Sequence, residues 1–444
     1  MHILFLTHYF PPEVNAPASR TFENAKRWVQ NGHCVTVITC VPSHPNGIVY
    51  PGYKDKWRQW DEIEGIKVLR IKTYISANKG FIKRILNYFT YMLSASLFCG
   101  MVRDVDVVVS TSPQFFCGMA GLWVSLRKRC KWVLEIRDLW PESIIAVGAI
   151  KSRFVINVLT RLEVFLYSSA RHIISVTHSF KRHIAKMGIP SERISIVTNG
   201  ADLDQFQPQM RNNGIRGALG LDDKFIVSYI GTHGMAHHLE TVLEAAGLLT
   251  DRKQIVFLLV GGGAERDRLL QLKAGLQLDN LLMLPQQPKE LMPQFLAASD
   301  ACMVLLKKND LFKTVIPSKI FEAMAMERPL ILGVEGESRE IVEKARCGIC
   351  IEPENHRELA DAVLQLYENR NLGEYLGTNG RDFVVRHFSR DVLAGKYIDV
   401  LQQILEPASP ECDGKTGITP GWKAGPDSLK SPVSPYKASV RVQS

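Results

Sequence analysis

Two consecutive α/β domains, each a doubly wound parallel sheet, are what this sequence predicts. Short buried-type apolar runs alternate with helix-period stretches, which is the pattern of repeated βαβ units. The alternation breaks at the turn Asn199-Gly200-Ala201-Asp202 and the polar segment through Gly220, then begins again. A chain of 444 residues also exceeds what one hydrophobic core usually serves.

In the first half, strands are expected at residues 3–7, 35–39, 66–71, 105–110, 132–136, 173–176 and 194–197. The helices between them are expected at 18–30, 79–102, 115–129, 152–170 and 178–188. The start, MHILFLTHYFPP, is a short apolar run ending in polar residues and prolines, and reads as a first strand and not a signal peptide. Residues 41–60 form a loop rich in Pro, Gly and aromatics, too long for mere connection and therefore expected to be functional.

In the second half, strands are expected at 225–230, 255–260, 281–284, 301–305, 330–332 and 348–351. Helices are expected at 238–249, 264–276, 289–298, 318–326, 337–345 and 356–387. The domains are accordingly 1–204 and 205–388, with a helix over 389–405 long enough to cross back to the first. Residues 406–444 are Pro, Gly, Ser and Lys with little apolar periodicity, and read as a disordered tail.

Charge separates the halves. Residues 1–204 carry 26 Lys and Arg against 15 Asp and Glu, or +11 of the total +9, leaving −2 for residues 205–444. A basic first half suits an anionic partner: nucleic acid, anionic lipid or a phosphorylated substrate. The charge is dispersed and no nucleic-acid recognition module is present, so nucleic acid is not expected. Nine cysteines, scattered apart from Cys347-Gly-Ile-Cys350, fit a reducing cytosol, and one lone CxxC does not make a metal site.

The most informative stretch is residues 313–332, KTVIPSKIFEAMAMERPLIL. Pro317 and Ser318 are helix-start residues, so Ser318 is placed to cap the helix or hold an anion beside unpaired first-turn amides. Lys319 adds a full charge there, and Glu322 lies one turn on, where a carboxylate could accept two ribose hydroxyls. A surface αβ unit with chance charges is the competing reading of this stretch alone.

Four segments resemble glycosyltransferase family 4, retaining nucleotide-sugar transferases of the two-Rossmann GT-B fold, whose domains face a central cleft. They are IVTNGADLDQF, LLVGGGAERDRL, LLMLPQQPKELMPQFLAASDACMVLL and IPSKIFEAMAMERPLI. HYFPPEVNAPASR and EIRDLWPES look like the bacterial branch that adds N-acetyl-L-fucosamine and similar sugars in surface-polysaccharide assembly (WbuB-like). The resemblance covers residues 1–405.

It implies that Glu322 holds the nucleotide ribose. A second family glutamate, eight positions earlier, is Thr314 here. An arginine and a lysine that hold the diphosphate in the family are Thr232 and His237. A first-domain histidine position matches Arg137, beside Asp138. The implied catalytic residues are therefore Lys319, Glu322, Arg137 and Asp138. The implied nucleotide-sugar site is Gly231, Thr232, His233, Gly234, His237, Gly262, Gln286, Gln287, Thr314, Pro317, Ser318, Lys319 and Glu322.

Glu13, Asn15 and Arg20 lie at strand ends or helix starts, where doubly wound sheets bind ligands, and are expected to meet the acceptor. Arg20 equally suits an ordinary first-turn surface position.

Glycosyl transfer builds negative charge on a leaving diphosphate, so fixed cations and amides at that oxygen are the largest help a protein gives. With Lys319 and a helix start in that role, no metal or cofactor is expected. The pairs Asp104-Val-Asp106 and Asp202-Leu-Asp204 lack a third ligand nearby and read as solvated turns. Gly261-Gly262-Gly263 lacks the spacing of a dinucleotide fingerprint and reads as close loop packing.

Residues 85–102, ILNYFTYMLSASLFCGMV, are uncharged between basic flanks. They read as a core helix or as an interfacial helix against anionic headgroups; polar residues in the run argue against a span. The expected activity is transfer of an N-acetylated 6-deoxyhexose from a UDP-sugar to a lipid-linked saccharide by a cytoplasmic enzyme at the inner face of the membrane. The rival is a UDP-sugar epimerase of the same fold, which needs no acceptor.

Overall fold

The central apolar runs become strands that are covered on both faces, as parallel strands require. In the computed structural model, which describes residues 1–76, 81–112, 115–141 and 152–406, they form two sheets. The first contains β1 (His2–Leu6), β2 (Cys34–Cys40), β3 (Arg58–Ile63), β4 (Ile66–Ile71), β5 (Val107–Thr111), β6 (Lys131–Ile136), β7 (His172–Ser175) and β8 (Ile194–Ile196). Its order is β3-β4-β2-β1-β5-β6-β7-β8, parallel throughout except where β3 pairs antiparallel with β4. The second contains β9 (Phe225–Ile230), β10 (Ile255–Val260), β11 (Leu281–Leu284), β12 (Ala301–Leu305), β13 (Leu330–Gly333) and β14 (Gly348–Cys350). Its order, β11-β10-β9-β12-β13-β14, is parallel throughout. Strand order reverses beside β1 and beside β9, and ligands of doubly wound sheets bind in the crevice at such reversals.

Helices Phe81–Phe98, Phe115–Lys128, Arg153–Ser169 and His178–Lys186 cover one face of the first sheet, burying Tyr91, Val124, Leu166 and Phe180 against Leu4, Val108 and Ile173. The helix Ala16–Gln30 covers the other face, and its start is capped by Asn15, whose Oδ1 accepts the Ala18 amide at 2.9 Å. Beside it lies the last helix, Arg390–Leu405, whose Leu393, Tyr397 and Leu401 join the first sheet's core. The Trp28 and Tyr397 rings are 4.9 Å apart, and Trp28 Nε1 donates to the Ala394 carbonyl at 3.2 Å.

The halves are tied at two further places. Ala201 and the segment around Ser389 form a parallel bridge, with the Ala201 amide donating to the Phe388 carbonyl at 3.0 Å. A Cβ at Gly200 would lie 2.0 Å from that carbonyl oxygen, so only glycine fits. Elsewhere Glu337 of the second half accepts the amides of His178 and Ser179, at 2.9 and 3.0 Å, at the start of a first-half helix.

Three local expectations change. The 41–60 loop ends inside β3, an antiparallel edge strand whose alternating half-exposed pattern carries too little apolar signal to be read. The expected helix over 356–387 is two, His356–Glu368 and Arg370–His387, because Asn369 leaves helical geometry and caps the second through the Leu372 amide at 3.0 Å. Residues 214–219, expected as polar connection, form a short helix capped by Asn213. The tail beyond Glu406 lies outside the described residues.

Candidate active site

The carboxyl end of β9 carries residues 231–234, and the carboxyl end of β10 carries residues 261–263. These loops touch. A Cβ at Gly261 would lie 1.9 Å from the Gly231 oxygen, and one at Gly263 would lie 2.3 Å from the His233 oxygen. The His233 amide donates to the Gly262 carbonyl at 2.8 Å, locking the pair. Gly261 and Gly263 are thus required for close approach, while at Gly262 a Cβ would meet only Gln286, at 3.8 Å. Gln287 turns aside, donating to the Pro285 carbonyl at 3.1 Å.

Lys319 opens the helix Lys319–Ala325 beneath this loop. Its Nζ lies 4.0 Å from the centre of the Tyr229 ring, next to the carboxyl end of β9. A Cβ at Gly231 would come within 2.5 Å of that amine, so glycine leaves the space the cation occupies. The Tyr229 hydroxyl donates to the Thr232 carbonyl at 2.9 Å, holding loop and ring together. Burial pushes the Lys319 amine down to about 8, opposed by Glu322.

Burial and the neighbouring cations Arg266 and Lys319 lower His233 to about 4, and burial with Lys319 lowers His237 to about 4. His233 is fully buried with neither ring nitrogen hydrogen-bonded, whereas His237 Nδ1 meets the Leu305 carbonyl at 3.3 Å. Both rings are neutral at pH 7, so the charge beside them comes from Lys319 and Arg266.

Between the halves lies a cleft of about 410 Å³. Asn15, Arg20, Arg137, Lys289, Glu322 and Arg390 are among the residues that line it. Glu322 is half-buried; burial pushes its carboxyl up, against the pull of Lys319 and Lys289. Lys319 and Glu322 also share a small cavity between β9, β12 and the Met292–Ala298 helix. Both side chains are half-buried: Lys319 lines this small cavity, and Glu322 lines both it and the cleft.

Other expectations change in detail. Ser318 lines the cleft but does not cap: it has helical backbone angles, and its hydroxyl makes no bond to the first-turn amides. Pro317 precedes it, its carbonyl accepting the Ile320 amide at 3.2 Å. Thr314 ends a 3₁₀ turn and donates to the Leu311 carbonyl at 2.7 Å. Glu13 spends one carboxylate oxygen on the amides of Ser43 and His44, both at 2.9 Å, fixing the loop after β2.

Arg20 lines the cleft but is not an ordinary surface residue. Its guanidinium meets Glu135, the Val197 and Thr198 carbonyls and Asn199 Oδ1 at 2.8–3.0 Å. Arg137 donates to the Ala16 and Pro17 carbonyls at 3.1 and 3.3 Å, and burial pushes it down to about 10. Asp138 is half-buried beside it, its carbonyl 3.5 Å from the Ser112 hydroxyl. Of the Asp-x-Asp pairs, Asp106 accepts the His2 amide at 2.6 Å and Asp202 accepts from Arg27 at 3.3 Å.

Three contributors escaped sequence reading. Tyr229 looks like one more strand residue, Lys289 and Arg390 like surface charges. Lys289 reaches across the cleft to within 3.4 Å of the Ser19 hydroxyl. The PKEL run after β11 is the one signal that could have pointed to it.

Residues 15–200 match the family described as glycosyl transferase 4-like domain, and residues 213–383 match glycosyl transferases group 1. The chain is 25% identical over 409 residues to WcaI of Escherichia coli, named for colanic acid biosynthesis, covering 88% of this chain and all of that one. It is 24% identical to the glycosyltransferase WbjE of Pseudomonas aeruginosa, over 68% of this chain and 76% of that one. Among solved structures it resembles sucrose-phosphate synthase of Thermosynechococcus elongatus, at TM-score 0.71 and 17% identity, covering 91% and 98% of the two chains. Anabaena HepE, solved with UDP, gives TM-score 0.66 at 16% identity over 91% of this chain and all of that one.

Proposed function

We propose that the chain is a family 4 glycosyltransferase of GT-B fold that transfers a sugar from a UDP-sugar to a lipid-linked saccharide in bacterial polysaccharide biosynthesis, a reading supported by the two matched glycosyltransferase families, by WcaI and by HepE. The observation that carries this reading is Lys319, held by Tyr229 and Gly231 at the strand-order reversal of the second sheet, with Glu322 lining the cleft.

A buried cation and a loop of backbone amides suit a leaving diphosphate, where negative charge grows as the glycosidic bond to phosphate breaks. Entry of a dianion restores the Lys319 charge that burial weakens. Glu322, one helical turn on, is placed for the ribose hydroxyls. The acceptor enters from the first half, past Asn15 and Lys289. We assign retention of configuration, with the leaving phosphate itself taking the acceptor proton on the same face and no metal required.

Support for the donor comes from HepE, solved with UDP and with UDP-glucose. Support for the pathway class comes from WcaI and from a capsular polysaccharide glycosyltransferase of Staphylococcus aureus, CapM, 22% identical over 54% of this chain. The sugar we assign is an N-acetylated 6-deoxyhexose such as N-acetyl-L-fucosamine, and the working place is the cytoplasmic side of a membrane that presents the acceptor.

Thermal-shift screening against nucleoside diphosphates and UDP-sugars, with and without EDTA, tests the donor. UDP and its sugars should raise the melting temperature, unaffected by chelation. Turnover of UDP-sugar without acceptor to an isomeric UDP-sugar would instead make the protein an epimerase.

A further inference from the structure

The described residues contain no helix long and apolar enough to cross a membrane. Even so, the helices covering the outer face of the first sheet expose large apolar side chains in regular stripes. On Phe81–Phe98 these are Ile85, Phe89, Leu93 and Leu97, spaced four residues apart, with Leu97 62% exposed. On Phe115–Lys128 they are Trp123 and Leu126, 58% and 64% exposed. On Arg153–Ser169 they are Phe154, Val158, Leu162 and Phe165, with Phe154 75% exposed.

Three- and four-residue spacing puts each set on one helix face. The first helix packs on the second and the second on the third, so the stripes adjoin. Phe89 and Phe116 meet edge to face at 5.7 Å across the first boundary. Apolar surface of this extent on one face of a water-soluble fold marks a contact site.

The charge on these helices has one sign. They carry Lys83, Arg84, Arg127, Lys128, Arg153 and Arg161, while their only acid, Glu163, is 3% exposed and accepts the Tyr167 hydroxyl. We infer that the three helix faces form one docking surface for an anionic lipid bilayer. Apolar stripes enter the acyl boundary and the cations meet headgroup phosphates. A second copy of the chain fits worse, because a two-fold contact through this face would set cations against cations, and these three helices offer no exposed carboxylate among their described residues.

The face is joined to the cleft. Helices in parallel α/β units begin at the carboxyl edge of the sheet, so the Ile85 end of the stripe lies on the ligand side. There Arg84, Asn87 and Tyr88 line a small polar pocket with Tyr9 and His44, from the loops after β1 and β2. A bilayer on the outer face thus presents lipid headgroups to the rim from which the acceptor enters. The geometry of the face stands by itself; only its purpose rests on the lipid-linked acceptor proposed above.

The test is sedimentation of the full chain with vesicles of phosphatidylcholine alone or mixed with phosphatidylglycerol, in low and high salt. The expected result is about tenfold or greater preference for anionic vesicles, weakened by salt. Leu93→Glu with Leu126→Glu, and separately Arg127→Glu with Arg161→Glu, should each abolish that preference while leaving the melting temperature and its shift by UDP unchanged. Equal recovery with both vesicles, or full binding by both double variants, overturns the docking surface. So does a lipid-free dimer that Leu93→Glu with Leu126→Glu dissolves, since the face would then be a subunit interface. Vesicle binding without a UDP shift would overturn the donor reading and leave the docking surface standing.

Discussion

The Lys319 amine sits 4.0 Å above the Tyr229 ring, in space that the missing side chain of Gly231 leaves open. The ring face attracts the cation while excluding water from it. A charge held this way needs no reorganisation when a diphosphate arrives.

Replacing Lys319 with alanine should therefore lower kcat by about 10²–10³-fold, the cost of one preorganised charge at a developing anion. Gly231→Ala should do comparable damage from the other side, because its Cβ would meet the amine at 2.5 Å. Steady-state turnover of the UDP-sugar measures both, and wild-type rates in either variant would remove Lys319 from the chemistry.

The pH dependence has two parts. Because burial pushes Lys319 down to about 8, the free enzyme loses this charge as pH rises through that value, and kcat/KM should fall above pH 8. Acid acts on the histidines: burial holds His8 near 3 and His233 near 4, against an ordinary 6.5. Between those values the unfolded chain binds protons the folded chain refuses, so stability is full above pH 6.5 and falls toward pH 4. The fully buried His233 alone accounts for on the order of 3 kcal/mol. Melting temperatures from pH 8 to pH 4 should drop steeply, and His233→Gln should flatten the curve.

Arg20→Ala should cost stability more than catalysis. It leaves Glu135, 1% exposed, without its ion pair, a loss of about 3 kcal/mol. Urea denaturation should show it, whereas a change confined to acceptor KM would place Arg20 in the acceptor site.

Glu337→Ala removes the carboxylate that closes the start of the His178–Lys186 helix across the two halves. The expected destabilisation is about 1–3 kcal/mol, because two partly buried amides lose a charged acceptor. Glu337→Gln, which keeps one acceptor oxygen, should recover part of it in the same denaturation assay.

The central parallel strands were legible because burial on both faces writes an uninterrupted apolar run, as in Ile255–Val260. Strand β3 was not, since an antiparallel edge strand is half solvent-facing and its sequence, RQWDEI, is mostly polar. The helix break at Asn369 was hidden because both flanking helices keep apolar periodicity and the capping side chain is a single residue.

The sequence alone determined the two-sheet architecture and the short helix start that carries Lys319 and Glu322. These are local patterns, written in apolar runs and in residues a few positions apart. Only the tertiary structure decided that Lys319 answers to Tyr229 and Gly231, that Arg20 braces Glu135 and the end of the first sheet, and that three helices share one apolar, cationic face. Those relations join residues some ninety or more positions apart or compare surfaces of separate helices, and chain folding brings them together through packing that no single stretch encodes.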